Sequence, residues 1–308
     1  MVVQQLLGGV MERRKSSVIL GQCATVRHRD LLLLLASLLL VSSVVVPCRA
    51  AATVSKATTS RSARENAIDS IPFENLTPEA RQRINRVIKK PSMYRRMPMN
   101  VVSCEPKMYQ FLVRHPEVIV NIWQLMGITK VSCKRMGPFT MDAADGVGTV
   151  TSVELVYGDK DTHIIFCEGH YNGPLFRRPL TGRCVLVLKS KYQQDQNAAW
   201  NVTNRLDVFL QVDHVGVDVF TRTLHPLLGK SADINFVEST KFLERISRTS
   251  ENNGPGMQRL AARLDQVDAD VKQRFAELAT DVYIDARRKR EAEIPGATTA
   301  SKQNSLSR

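Results

Sequence analysis

The chain of 308 residues carries 43 basic and 30 acidic side chains, a formal charge of +13, with 43% apolar and 24% charged residues. This composition excludes a disordered or fibrous protein and suits one well-filled domain once non-globular ends are set aside. The basic excess is scattered in pairs such as Lys89-Lys90 and Arg95-Arg96. A nucleic-acid partner is therefore not expected, since that function asks for a basic stripe with interleaved aromatics.

The first predicted element is a targeting segment. Leu31 to Val46 is an uncharged apolar run, preceded by Arg13, Arg14, Lys15, Arg27 and Arg29 and followed by Pro47 and the small residues Ala50–Ala52. Residues 1–50 read as a signal peptide cleaved near Ala50 or Ala52, or as an anchor retained through residues 31–46. As a helix the run reaches only about 24 Å, against a hydrocarbon core of about 30 Å. Export to a periplasm, cell envelope or medium follows from either reading. Residues 51–71, rich in Ala, Ser, Thr and Arg without an apolar period, are expected to be a disordered linker.

Thr77-Pro78-Glu79 opens a short helix with a threonine cap and proline at its first position, and Ile84, Val87 and Ile88 form its stripe. Tyr94 to Cys104 is an extended segment interrupted at Pro98, as suits a sheet edge. Glu105-Pro106 begins a helical stretch that Pro116 divides and Gly127 ends. Five extended segments follow, namely Thr129–Ala143, broken at Gly137-Pro138, then Val147–Tyr157, Thr162–Tyr171, Thr181–Lys191 and Val202–Asp213. The last alternates, with Leu206, Val208, Leu210 and Val212 facing a core and Arg205, Asp207, Gln211 and Asp213 facing water.

Helices then return. Val217, Phe220, Leu224, Leu227 and Leu228 form one stripe ending at Gly229, and Ser231 caps a second helix carrying Phe236, Leu243 and Ile246. A third, from Gly256 to Arg290, carries Leu260, Leu264, Val267, Val271, Phe275, Leu278 and Val282 at steps of mostly four and three. Residues 251–292 are thus expected as one long amphipathic helix, open to pairing with a second copy, and residues 293–308 as a disordered tail.

Chemical motifs are sparse. His163, Cys167, Glu168 and His170 lie on one strand, but His163 and Cys167 are about 13 Å apart and only Glu168 and His170 come within about 6.6 Å. Two ligands make no metal site, and none is expected. No cysteine stands at a helix N-terminus that would lower its pKa, so no catalytic residue is assigned. Gly229-Lys230-Ser231 is read as a helix stop, because the glycine a phosphate loop requires is replaced by Leu224. No cofactor is expected. Leu175-Phe176-Arg177-Arg178, an apolar pair beside a basic pair, suits contact with an anionic membrane surface or with the mouth of a cavity. Four cysteines, Cys104, Cys133, Cys167 and Cys184, follow the targeting segment. They allow three disulfide connectivities or four free thiols.

The order of strand, helix pair, consecutive strands and long helices, together with the stretch Gly216–Ile246, resembles the helix-grip fold of the START-like (SRPBCC) superfamily over about Tyr94 to Arg248. The chain is also similar to exported proteins of planctomycete-type bacteria. The resemblance implies an α+β fold over residues 72–250, with an antiparallel sheet curled around a long C-terminal helix, plus the additional long amphipathic helix. It implies disulfides Cys104–Cys133 and Cys167–Cys184 on neighbouring strands. It also implies an apolar cavity between sheet and helix, for which the ligand-facing set is Met97, Met99, Met108, Phe111, Met126, Leu206, Val208, Leu210, Phe220 and Leu224. The expected function is non-catalytic binding of a hydrophobic small molecule or lipid. The alternative is a cell-envelope structural protein that self-associates through its C-terminal helix.

Overall fold

The structure, a computed structural model, describes residues 55–174, 178–213 and 227–293. The targeting segment lies outside the described residues, as do Phe220 and Leu224. No helix among the described residues is long and apolar enough to cross a membrane.

The described part of the expected linker, residues 55–71, departs from that expectation. It carries helix α1 (Arg61–Asp69), whose cap Ser60 accepts a hydrogen bond from the Ala63 amide. Its buried side is only Ala63 and Ala67, four residues apart, too small a stripe to register as an apolar period. Helix α2 (Pro78–Lys89) begins as expected, with Thr77 capping Ala80 N and Ile84, Val87 and Ile88 buried. The guanidinium of Arg64 donates to the Ile88 and Lys89 carbonyls, tying α1 to the end of α2.

The sheet is antiparallel throughout. Its edge is β1 (Met93–Arg96) and β2 (Asn100–Ser103), separated by Met97-Pro98-Met99 and both paired to β8 (Trp200–Val212). The order continues through β7 (Leu180–Gln194), β6 (Thr162–Tyr171), β5 (Thr149–Gly158), β4 (Thr140–Ala144) and β3 (Ser132–Arg135). The break expected at Gly137-Pro138 within Thr129–Ala143 is a hairpin turn, so β3 pairs back on β4 and the five expected segments become six strands.

Alternation sorts the central strands into two apolar faces. Ile164, Phe166, Val185, Val187 and Phe209 point to one side, where α1 and α2 cover them. Cys167, Cys184, Leu186, Leu188, Val208 and Leu210 point to the other. The outer face of β8 is therefore not wet where α1 and α2 cover it. Asp207 is fully buried, accepting from the Tyr94 hydroxyl at 2.6 Å and Arg96 Nε at 2.7 Å, and Gln211 donates to carbonyls at the end of α2.

On the inner face lie α3 (Pro106–Arg114) and α4 (Pro116–Leu125), divided at Pro116 and ended at Gly127, whose φ of +67° favours glycine. A five-residue π turn, Leu227–Ser231, leads into α5 (Ala232–Asn252). This is the α+β architecture expected, a curled antiparallel sheet holding a long helix.

The additional long helix is present as α7 (Ala269–Glu293), but it does not start at Gly256. A separate helix, α6 (Gly254–Ala262), precedes it and the two form a hairpin. The turn between them is held from another element: Asn121 of α4, buried, donates to Asp265 and accepts from the Gln266 amide. Leu264 and Val267 stay in register with the stripe because both are buried although neither is helical. Leu264, Val267, Val271, Phe275, Leu278 and Val282 thus pack in a core shared with α3 and α5 of the same chain, with Phe275 stacked on Phe111.

Glu117 at the start of α4 is 2% exposed and pairs through both oxygens with Arg135 of β3, at 2.7 and 3.0 Å. Arg135 also donates to the carbonyls of Arg114, Gly137 and Pro138, so one side chain fixes both the α3–α4 joint and the β3–β4 turn. Burial alone would raise the pKa of Glu117. Hydrogen bonds from His115 and Arg135 and the charge of Arg135 outweigh it and hold the carboxyl below its ordinary value. Removing one partner of such a buried pair costs about 3–5 kcal/mol. Arg135→Met is expected to lower stability to urea by that amount, and a midpoint shift worth less than about 1 kcal/mol would show that the pair is not a structural joint.

Candidate functional site

Between the inner face of the sheet and helices α3, α4 and α5 lies a cavity of about 110 Å³. The strands supply Met141, Val153, Leu155, Ile165, Cys167, Leu186 and Leu188, and the helices supply Leu112, Val113, Ile119, Phe236 and Leu243. Side chains with polar atoms also reach the wall, but most of those atoms are already engaged. The Tyr109 hydroxyl bonds to Ser190 Oγ and Asn204 Oδ1, and burial drives its pKa upward. Ser239 and Thr240 donate to carbonyls of their own helix, and Thr240 accepts from Asn100. A wall of this kind favours an apolar body and offers few hydrogen bonds.

Arg114, last residue of α3, closes one end of the wall. Its Nε donates to His163 Nε2 at 3.1 Å and its Nη2 to the Asp159 carbonyl at 3.0 Å. His163 has no exposed surface, and its Nδ1 has no partner among the described residues. Burial first, then the neighbouring charge of Arg114, pushes its pKa down to about 4. The ring is therefore neutral, with its proton on Nδ1, and serves as an acceptor that aims the guanidinium.

The residues expected to face a ligand are placed elsewhere. Met97, Leu206, Val208 and Leu210 are packed within the core on the inner face of the sheet. Met108 and Phe111 lie in the helical core, and Met99, at the break in the edge strand, bonds through its amide to the Ser55 carbonyl. Met126 is 58% exposed beyond the end of α4, where it joins Trp123, Phe242 and Met257 in a surface groove of about 530 Å³. None of these eight lines the cavity. The signal for those that do was the alternation Cys184-Leu186-Leu188 and Val153-Leu155, which marks the same face as the expected stripe of β8. Leu175, Phe176 and Arg177 lie outside the described residues, and Arg178 is exposed. Glu168 is paired with Arg183 at 2.8 Å.

Neither expected disulfide is formed; all four cysteines are free and buried. Cys104 follows β2 and Cys133 lies on β3, at opposite edges of the sheet with five strands between them, beyond the span of a disulfide. Cys167 and Cys184 do face each other across β6 and β7. Burial raises the pKa of both thiols, that of Cys167 to about 12, so little thiolate exists to be oxidised.

The state of His163 makes stability depend on pH. An unfolded histidine binds its proton near pH 6.5, and His163 in the folded chain does so only near 4. Between these values the unfolded chain holds more protons, so stability is full above pH 6.5 and falls as pH drops through the window. The loss from this residue is on the order of 3 kcal/mol. Urea titrations from pH 7 to 4 are expected to show that fall in the wild type and a flatter profile in His163→Gln. Parallel profiles would mean that His163 is not held neutral by burial.

No protein-family model matches the chain, and no curated protein matches it. Solved structures are similar over part of its length. A conserved protein from Geobacillus kaustophilus is 10% identical with a TM-score of 0.29, covering 46% of this chain and 93% of that one. The di-domain ARO/CYC BexL from the BE-7585A biosynthetic pathway is 12% identical with a TM-score of 0.30, over 60% of this chain and 59% of that one. Ara h 8.0201 is 9% identical with a TM-score of 0.25, over 47% of this chain and 99% of that one. The likeness to exported planctomycete-type proteins finds no support among them.

Proposed function

We propose that this chain is an exported protein that binds a compact hydrophobic molecule, without catalysis, in the cavity between the sheet and helices α3 to α5. The observation that carries the reading is the cavity itself, about 110 Å³ of space with an apolar wall. An engineered cavity of about 150 Å³ with a similar lining stays dry and admits benzene. The volume therefore suits a single ring or a short branched chain, and falls below the 300 Å³ or so at which drug-sized ligands begin.

The absence of catalysis is supported by the chemistry of the wall. Burial keeps the Cys167 thiol protonated, and the hydroxyls of Tyr109, Ser239 and Thr240 are engaged in hydrogen bonds within the chain, with no general base beside them among the lining residues. Export rests on the basic stretch and apolar run of residues 13–46. Self-association through the C-terminal helix loses its motive, because the apolar stripe of α7 is spent in the core of its own chain.

Toluene, a neutral molecule of suitable size, tests the reading. Saturating toluene is expected to raise the midpoint of thermal unfolding by several degrees, by linkage to the folded state. Val113→Phe, which fills the cavity from α3, should weaken toluene binding about tenfold or more while leaving the circular dichroism spectrum unchanged. Equal toluene binding by the wild type and this variant would place the ligand somewhere else.

A further inference from the structure

Arg114 is the one cationic residue in the wall of the cavity, and its surroundings are unusual for an arginine. Its two bonded partners, an imidazole nitrogen and a backbone carbonyl, are both neutral. Among the described residues no carboxylate lies within ion-pairing distance of it, and its Nη1 forms no hydrogen bond with any of them. Asp159, whose backbone carbonyl Arg114 reaches, has its carboxylate committed to the Tyr157 hydroxyl and to the amides of Asp161 and Thr162. A guanidinium beside an apolar space, aimed by a buried ring and lacking a counter-ion, leaves a planar fork for a carboxylate. The remaining wall offers an incoming molecule almost nothing polar.

We infer that the ligand is a small monocarboxylic acid, its carboxylate paired with Arg114 and its aromatic or branched aliphatic body in the cavity. The inference rests on the reading of the cavity as a ligand site and adds the chemical class. Arg114 is the binding residue, and His163 is a positioning residue that acts through it. The size of the space limits the body to about one six-membered ring. A bound carboxylate would offset the charge of Arg114, one of the two causes that depress the pKa of His163, so occupancy has a spectroscopic signature apart from affinity.

Benzoate and toluene, alike in size and different in charge, separate this inference from the one beneath it. By ligand-observed NMR or calorimetry, wild type is expected to bind benzoate about tenfold or more tightly than toluene. Arg114→Met should abolish that preference, and Arg114→Lys should recover part of it. Benzoate, and not toluene, should move the His163 imidazole titration to higher pH, followed by nitrogen NMR. That measurement and the lysine variant keep the test open should Arg114→Met fail to fold. Toluene bound as tightly as benzoate, or benzoate bound unchanged by Arg114→Met, would overturn the carboxylate assignment and leave the cavity reading standing. Binding of neither molecule would overturn both.

Discussion

Strands β6, β7 and β8 are apolar on both faces, and that constraint organises the rest of the molecule. A sheet with one wet face needs helices on one side only; this one must bury Ile164, Phe166, Val185, Val187 and Phe209 as well as the inner row from Cys167 to Leu210. The outer row is met by α1 and α2, and the carboxylate buried there is paired as it is covered. Asp207, with no exposed surface, is held by Tyr94 and Arg96. The inner row is met by α3, α4 and α5, with α7 braced behind α3 and α5. Two helices meeting a curved sheet at a proline-divided joint do not fill the whole concavity, and the cavity is the space that remains.

The joint is where packing and chemistry meet. Arg114 ends α3, Pro116 starts α4, and Glu117 anchors the start of that helix to Arg135. Arg135 in turn donates to the carbonyl of Arg114, so the residue at the cavity wall has its backbone fixed by an ion pair and its side chain aimed by His163. Pre-organisation of this kind reduces what a ligand must spend on ordering the site.

Much of this was legible from residue types and much was not, and the division has a physical basis. Local signals held: Thr77 before Pro78, Pro116 between two helices, Gly127 at a positive φ, Pro98 at a sheet edge. Periodicity also held for the α7 stripe and for the core face of β8. What failed depended on partners distant in sequence. Ala63 and Ala67 form a helix face only because a sheet needs covering; the stripe through Leu264 and Val267 breaks its helix only because Asn121 binds the turn. The ligand-facing set followed from the resemblance and named the edge strand, the helix pair and β8, whereas the cavity follows the strand register of β5, β6 and β7, which only pairing fixes. The disulfide expectation placed Cys104 and Cys133 on neighbouring strands, whereas the order β2-β8-β7-β6-β5-β4-β3 puts them at opposite edges.

An apolar void of this size has a thermodynamic consequence. Residual cavities destabilise by about 24 cal/mol per Å³, so a space of about 110 Å³ costs about 2–3 kcal/mol, a substantial part of the 5–15 kcal/mol that holds a domain together. The surrounding elements could remove that cost only by collapsing. The helix pair is prevented from closing by the Glu117–Arg135 pair at one end of α4 and by the Asn121 contact to the α6–α7 turn further along it. Phe111, stacked between His115 and Phe275, holds α3 against α7 in the same way. Contacts made outside the cavity thus keep it open. A body that fits the wall recovers dispersion contacts the empty wall forfeits, and does so without rearranging the fold that encloses it.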